Sequence, residues 1–553
     1  MKIYRIHALI CAGGQCISAG GDSFESALKQ ELQAAGLTEE IQIVETGCMG
    51  SCEMGPMMVT YPEGIVYVRL KPEDAKIITQ EHFLKGRPVP SLMWKKEEGG
   101  FPRLEEVPFF ARQTKLVLRN CGLINPENIE EYIARDGYQG LAKALSGNDP
   151  KLVIEELKKS GLRGRGGAGF PTGRKWETAY NQVSDIKYVV CNADEGDPGA
   201  YMDRSVLEGD PHSVIEGMAI AAYAIGAQKG YVYCRAEYPL AIKRLTHAIK
   251  QAKQSGVLGQ NILGTDFSFD LEIRVGAGAF VCGEETALLN SIEGNRGEPK
   301  KKPPFPAVKG LFGKPTVINN VETLANIPVI LTKGADFFQT IGVPNNPGTK
   351  VFSLAGKVNT TGLIEVPLGI SLRKIIFDIG GGIPNGKQFK GALTGGPSGG
   401  VIPASQIDTP IDYESLQALG SMMGSGGLIV MDEDSCMVDI AKFFLKFTVD
   451  ESCGKCTPCR EGTRQMLNML EKITSGQGQA GDIERLEELG NVIKQTSLCN
   501  LGQSSPNPVL STIRWFRNEY ESHIHEKKCQ CNVCNMIPPV KEVKKNVRKK
   551  ISH

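Results

Sequence analysis

The 553-residue chain holds sixteen cysteines, most of them in tight groups, so thiolate–metal chemistry is the first to weigh. The first group pairs Cys11 with Cys16 and Cys48 with Cys52, on loops that also carry Gly13, Gly14, Gly47 and Gly50. A [2Fe–2S] rhomb needs four converging thiolates with backbone amides close to sulfur, and small loop residues permit that approach. Two disulfides or a structural zinc are the alternatives; the first is uncommon in a reducing compartment and the second prefers tighter pairs. In the second group Cys453, Cys456 and Cys459 have the spacing that caps one face of a [4Fe–4S] cubane, with Cys499 as a distant fourth ligand. Zinc is again the alternative, although a triple at this spacing is uncommon in zinc knuckles. The third group is His523 and His525 followed by Cys529, Cys531 and Cys534. Mixed His and Cys suit a closed tetrahedral zinc site; a cluster, with Cys436 approaching in space, and an unmetallated tail stay open. Cys121, Cys191, Cys234 and Cys282 stand alone in apolar stretches and read as small buried hydrophobes.

A second chemistry is carried by glycines. Residues 161–176 place Gly161, Gly164, Gly166, Gly167 and Gly169 before Lys175, a loop with little bulk that would let backbone approach a planar or phosphorylated ligand. A flexible loop is the ordinary reading of such a run, since no clear strand precedes it. Asn192, Asp194, Glu195 and Asp197 then end a β run from Tyr188, placing an amide and carboxylates at the carboxyl edge of a strand, where α/β sheets hold nucleotide polyols. Gly276, Gly278 and Gly283 before Glu284 and Glu285 repeat the combination of glycine and acid.

These sites need elements to position them. A chain of this length predicts three to five folding units. Residues 1–85 read as a small α/β unit: a strand through Ile10, a helix from Asp22 to Ala35, a strand from Ile41 to Glu45 and a hairpin from Met57 to Val68. Residues 86–112, charged and proline-containing, read as a linker. Glycine-rich turns alternate with strands and helices over 113–335, an α/β unit suited to a nucleotide, with Val214–Ala227 as a buried helix interrupted by Glu216. Short β runs with glycine doublets fill 336–435, helical periodicity spans 436–520, and a basic Cys/His tail closes 521–553. The tail's lysines and arginines from Lys541 to Lys550 read as solvated or as a dock for an acidic partner. Lys+Arg 63 against Asp+Glu 62 gives no electrostatic reason to bind nucleic acid or an anionic membrane, and neither a membrane span nor a secretory signal is visible, which predicts a cytoplasmic protein.

The strings around Gly164, Asn192, Gly283, Lys302–Phe305, Gly313–Thr316 and Ile318–Thr323 resemble the NADH-binding flavoprotein subunit of respiratory complex I and its soluble relatives in bifurcating hydrogenases, transhydrogenases and formate dehydrogenases. The likeness covers nearly the whole chain. It implies an α/β multidomain protein: a thioredoxin-like [2Fe–2S] unit, a Rossmann-like FMN and NAD domain, a β-grasp-like insert and a helical bundle with a [4Fe–4S] cluster. By resemblance Gly164, Gly166, Lys175, Asn192, Asp194, Phe280, Gly283, Glu284, Asn319 and Asn320 would line FMN, with Lys175 near its phosphate. Phe170, Asp197, Glu285, Lys302 and Phe305 would hold NAD(H), the rings stacking on adenine. Cys11, Cys16, Cys48 and Cys52 would bind [2Fe–2S] and Cys453, Cys456, Cys459 and Cys499 [4Fe–4S], while His523, Cys529 and Cys534, with Cys436, resemble a region where zinc is expected.

Two departures stand out: complex I subunits usually carry tyrosine where Phe280 stands and glutamate where Asp197 stands, so hydrogen bonding at the flavin and nicotinamide would differ. The chain also ends soon after Cys534, where many relatives add a ferredoxin, which favours a transhydrogenase-like or otherwise reduced member. The expected activity is exchange of electrons between NADH, FMN and the clusters with no covalent catalytic residue, within an electron-bifurcating complex using ferredoxin or a non-bifurcating formate dehydrogenase or complex I-like enzyme. A small [2Fe–2S] thioredoxin-like subunit and a larger catalytic subunit are the expected partners. A flavin-free electron-transfer scaffold is disfavoured by the Gly164 loop with Lys175, Asn192 and Asp194, and a zinc-dependent nucleic-acid module by the balanced charge.

Overall fold

The computed structural model describes residues 3–94 and 103–536. The basic run from Lys541 and residues 95–102 of the expected linker lie outside the described residues.

Apolar residues at Ile6, Ala8 and Ile10 form one face of β1 (Ile6–Cys11), which pairs in parallel with β2 (Ile41–Thr46) and antiparallel with β3 (Met58–Tyr61). With β4 (Ile65–Tyr67) the order is β2-β1-β3-β4. The helix Gly21–Ala34 buries Phe24, Leu28 and Leu32, one stripe at four-residue spacing, in the same core. Because β1 and β2 are parallel, with Cys11 opposite Thr46, both cysteine loops leave from one edge of the sheet. The expected linker is pinned where it is described: Met93 bridges to Tyr67, Arg103 to Ile65, and Val107 and Phe109 are buried.

In the central unit β5 (Tyr188–Ala193), β6 (Lys229–Arg235), β7 (Asp270–Gly276) and β8 (Thr316–Asn320) make a parallel sheet of order β7-β6-β5-β8. The order reverses between β5 and β8, and in such sheets ligand crevices open beyond the strand carboxyl ends at the reversal. The helix Pro211–Ile225 packs against the sheet and against the helix Val321–Lys333, with every residue except Tyr223 buried. Gly217 allows that approach, since a Cβ there would lie 2.2 Å from the Leu324 carbonyl oxygen. The acid that interrupts this apolar run is satisfied: Glu216 accepts hydrogen bonds from the Tyr132 hydroxyl at 2.5 Å and from the Tyr138 and Leu141 amides at 2.8 and 3.0 Å.

After a short pair, β9 (Gly342–Val343) and β10 (Asn346–Pro347), the insert forms a five-stranded sheet from β11 (Thr349–Gly356), β12 (Gly362–Pro367), β13 (Phe389–Thr394), β14 (Gly400–Pro403) and β15 (Gly427–Asp432), in the order β12-β11-β15-β13-β14. It is stitched to the central unit by buried charge. Lys350 pairs with Glu322, and Glu365 accepts the amides of Leu116, Val117 and Leu118. The helices Met437–Asp450, Thr463–Thr474, Asp482–Thr496 and Asn507–Glu521 form the bundle around Leu445, Met466, Leu486 and Ile513. Its last helix runs on through Ser522–Glu526, so His523 stands on the bundle and not in a separate tail. Among the described residues no helix is long and apolar enough to cross a membrane.

Candidate functional site

A cavity of about 600 Å³ opens at the carboxyl ends of β5 and β8, of the size that holds cofactors. Asn192, next to last in β5, ties two wall turns together: its Nδ2 donates to the Gly283 carbonyl at 2.9 Å and its Oδ1 accepts the Asp194 amide at 3.1 Å. Both carboxylate oxygens of Asp194 are buried without a hydrogen-bond partner, and burial pushes this carboxyl up to about 7. Lys175 enters from the helix Thr172–Tyr180; its ammonium donates to the Ile318 carbonyl at 2.9 Å, and burial lowers its pKa. An orphaned acid and a desolvated cation are each costly alone. A ligand with ring N–H donors and a phosphate would satisfy both, and FMN has both, so the residues present fit it.

Gly166, Phe280, Gly283, Glu284 and Asn320 also line the cavity. Two of them are already committed to helix caps. Glu284 accepts the amides of Thr286 and Ala287, and Asn320 accepts that of Glu322 while donating to Asp203. Phe280 donates its amide to Glu451 at 2.9 Å and meets Phe447 edge to face. Gly164 and Asn319 stand behind the wall. The Gly164 carbonyl accepts the Tyr413 hydroxyl, and Asn319 accepts the Trp176 indole N–H at 2.9 Å, so both brace the loop from outside.

The nicotinamide set sits at the rim. Phe170 and Phe305 are 49% and 56% exposed, an unusual state for large apolar rings and one suited to stacking on a flat base. Lys302 bridges Glu284 at 3.1 Å and Glu285 at 2.8 Å. Asp197 is pushed up to about 6 by burial and accepts the Ser425 hydroxyl. Several further wall residues are not among those the sequence points to: Asp203, then Ser398, Met422 and Ser425 from the insert, and Asn500 and Leu501 from the bundle. Glycine doublets at 395–396 and 399–400 were the available signal for the insert, and adjacency to Cys499 for the bundle.

Cys11, Cys16, Cys48 and Cys52 surround one small cavity. Glycines make the convergence possible: a Cβ on Gly55 would lie 2.7 Å from the Cys16 sulfur, and one on Gly13 would lie 3.0 Å from the Cys48 Cβ. The Cys11 thiol, hydrogen-bonded to Cys16, is pushed up to about 12, and Cys48 and Cys52 are raised further by their neighbouring thiols. Thiols this close ionise together only beside cations, which iron supplies. Tyr201, Arg204, Ser205 and Glu208 of the flavin unit form the facing wall, a contribution that spacing within 1–85 could not reveal.

Cys453 and Cys456 lie on the loop after the helix Met437–Asp450, Cys459 in the next turn, and Cys499 caps the helix Asn500–Ser504. A Cβ on Gly502 would lie 3.0 Å from the Cys459 Cβ, so the loops meet. Burial raises Cys499 to about 11 against the pull of the Gly502 and Leu501 amides, which are placed to hydrogen-bond a thiolate. In the third group the ligand atoms of Cys436, His523, Cys529 and Cys534 all lie within 4.8 Å of one another. His523 Nδ1 is 2.7 Å from the Glu519 carbonyl, which fixes the tautomer and leaves Nε2 facing Cys436 at 3.7 Å. Cys531 stands apart from this set, beside Lys390.

Three family profiles match: the Nuo51 FMN-binding domain over residues 157–329, the NADH-ubiquinone oxidoreductase-F iron–sulfur binding region over 439–523, and the thioredoxin-like [2Fe–2S] ferredoxin over 2–82. The chain is 61% identical over 426 residues to HndC, a subunit of the NADP-reducing hydrogenase of Solidesulfovibrio fructosivorans, covering 77% of this chain and 86% of that one. It is 47% identical over 414 residues to the F 2 subunit of the NADH-quinone oxidoreductase of Rhizobium meliloti, covering 75% and 98%. Among solved structures, an NAD⁺-reducing [NiFe]-hydrogenase in the H₂-reduced state aligns with 94% of this chain and 84% of its own, at 30% identity and a TM-score of 0.66. The chain therefore belongs to the complex I 51 kDa (NuoF-like) family of NADH-oxidising oxidoreductases, with FMN-binding, [4Fe–4S] and thioredoxin-like [2Fe–2S] modules in one polypeptide.

Proposed function

We propose that this chain is the NAD(H)-reacting flavin subunit of an electron-bifurcating complex, in which a larger catalytic subunit of hydrogenase or NADP-dependent type and a small [2Fe–2S] subunit complete the assembly and ferredoxin is a further electron carrier. The observation that carries this reading is the position of the cavity between two exits. Its wall includes Leu501, two residues beyond Cys499, on one side, and on the other Asp203, in the helix that also faces the Cys11 group. The relative HndC is by its name part of a hydrogenase, which supports that class of partner.

FMN, when bound, supplies the conversion between a two-electron hydride donor and one-electron clusters. The chain's own residues do the rest. Phe170 and Phe305 would clasp the adenine of NADH, and Lys302, held by Glu284 and Glu285, would fix the rim against which the dinucleotide lies. Lys175 would hold the flavin phosphate, and Asp194 would accept from the ring N–H at a place closed to water. Cys453, Cys456, Cys459 and Cys499 would ligate [4Fe–4S], and Cys11, Cys16, Cys48 and Cys52 [2Fe–2S].

The test is Cys48→Ser in the full complex. Under bifurcation through the Cys11 branch, NADH-dependent dye reduction persists while ferredoxin-coupled turnover is lost. Retention of both would leave a non-bifurcating NADH dehydrogenase subunit, of formate dehydrogenase or complex I-like type, as the better reading.

A further inference from the structure

The Cys11 group is walled by a surface that its own unit does not supply. The helix Met202–Gly209 of the flavin unit begins at the large cavity, where Glu195 accepts the Asp203 and Arg204 amides at 3.0 and 3.1 Å and Asn320 donates to Asp203. The same helix presents the side chains of Arg204, Ser205 and Glu208 to the four cysteines. Glu208 accepts the Gly14 amide at 3.1 Å and lies 3.4 Å from Arg204 Nε. A Cβ on Gly14 would be 3.3 Å from Arg204 Nη2, so the guanidinium lies directly on the loop between Cys11 and Cys16. Tyr201, immediately before the helix, lines the same small cavity as Cys52, and its side chain opposes the rise that burial and Cys48 impose on the Cys52 thiol.

We propose that Tyr201 and Arg204 are positioning residues that raise the reduction potential of the [2Fe–2S] cluster, so that the cluster has its working potential only while its domain is seated on this helix. The inference rests on Cys11, Cys16, Cys48 and Cys52 being the cluster's ligands. The physical ground is that reduction adds negative charge to the cluster and its thiolates. A donor on a ligand sulfur and a cation at the ligand loop both stabilise that added charge, and so favour the reduced form. Neither residue belongs to residues 1–85. Isolated from the flavin unit, the same four cysteines would hold a cluster without the Tyr201 hydroxyl, the Arg204 guanidinium on the Gly14 loop and the Glu208 carboxylate that anchors it. The Glu208–Gly14 hydrogen bond and the Arg204–Glu208 pair set the distance at which this happens.

The experiment is a potentiometric titration of the full chain followed by electron paramagnetic resonance, comparing wild type with Tyr201→Phe, Arg204→Gln and Arg204→Lys at matched iron content. The expected result is a shift of the [2Fe–2S] midpoint to lower potential in Tyr201→Phe and Arg204→Gln, a smaller shift in Arg204→Lys, and a stationary [4Fe–4S] midpoint. Unmoved [2Fe–2S] midpoints in both Tyr201→Phe and Arg204→Gln overturn the inference, as does an equal shift in Arg204→Gln and Arg204→Lys for the part assigned to Arg204. Loss of the cluster from both Tyr201→Phe and Arg204→Gln also overturns it, because the contact would then be structural. A wild-type chain without any [2Fe–2S] signal would sink the ligand assignment instead, a distinguishable outcome.

Discussion

Lys455 donates from its ammonium to the Pro299 carbonyl at 2.8 Å, so a residue lying between Cys453 and Cys456 holds the loop that leads to Lys302 and Phe305. The contact is returned from the other side, where Arg296 donates to the Cys453 carbonyl at 3.0 Å. The cavity rim at Lys302 and Phe305 and the Cys453 loop are thus one mechanical unit. Lys455→Ala should loosen the rim more than it disturbs the flavin: a several-fold rise in the KM for NADH, with flavin content unchanged, read by steady-state dye reduction and absorbance. An unchanged KM would mean that the rim is held by Lys302 and its acids alone.

Asp194 gives the flavin-free chain a pH dependence whose sign can be worked out. Its carboxyl sits near 7 in the fold against 3.8 ordinarily, chiefly because of burial. The folded state therefore binds this proton more tightly, and the stability it contributes is full below about pH 4 and lost as pH rises through about 7. At ~1.4 kcal/mol per unit the span is roughly 4 kcal/mol. Asp194→Asn should stabilise flavin-free protein most at pH 8 and progressively less as the pH falls toward 4, measured as thermal midpoints across that range. A difference between variant and wild type that stays constant with pH would exclude this carboxyl as the source.

How much of this was legible in the sequence depends on how local each feature is. Cysteine spacing along a loop is local, so the Cys453 triple and the Cys11 and Cys48 pairs could be read directly, and the β run ending in Asn192 and Asp194 announced a strand edge. Ser425 and Met422 reach the cavity only because β15 lies beside β11, a pairing that no short window encodes. Arg204 looked like an ordinary helix residue, since the sulfurs it faces lie in another unit nearly two hundred residues earlier. Gly164 and Asn319 show the converse: their motif is right beside the cavity, yet tertiary packing turns them toward Tyr413 and Trp176.

The ion pair of Lys350 with Glu322 is fully buried and joins the insert to the flavin unit. Glu322 also accepts the Val351 amide at 2.9 Å, and Lys350 donates to the Ser425 carbonyl at 2.7 Å, next to the hydroxyl that serves Asp197. Removing one partner strands a buried charge, so Lys350→Ala should cost about 3–5 kcal/mol. The pair Lys350→Met with Glu322→Leu should cost much less, because no charge is then left unpaired. Urea unfolding of the three proteins checks this, and equal losses in the single and double variants would place the energy in packing instead.

Cys436 stands at the start of the bundle's first helix and His523 near the end of its last, so a metal held by them with Cys529 and Cys534 would clamp the bundle's two ends together. The mixed sulfur and nitrogen set, its ligand atoms within 4.8 Å and the hydrogen bond from His523 to Glu519 favour tetrahedral zinc over a cluster, whose ligands stand around a larger core. Elemental analysis should find about one zinc per chain beyond the iron of the two clusters. His523→Ala should lose it and lower the thermal midpoint of the bundle, while flavin content is kept because the cavity wall contains none of these four residues. Binding requires thiolates, so acidification in the presence of a chelator should release the metal and drive the wild type toward the variant's midpoint. Iron in place of zinc at this stoichiometry, or a variant that keeps both its zinc and its midpoint, would reject the clamp.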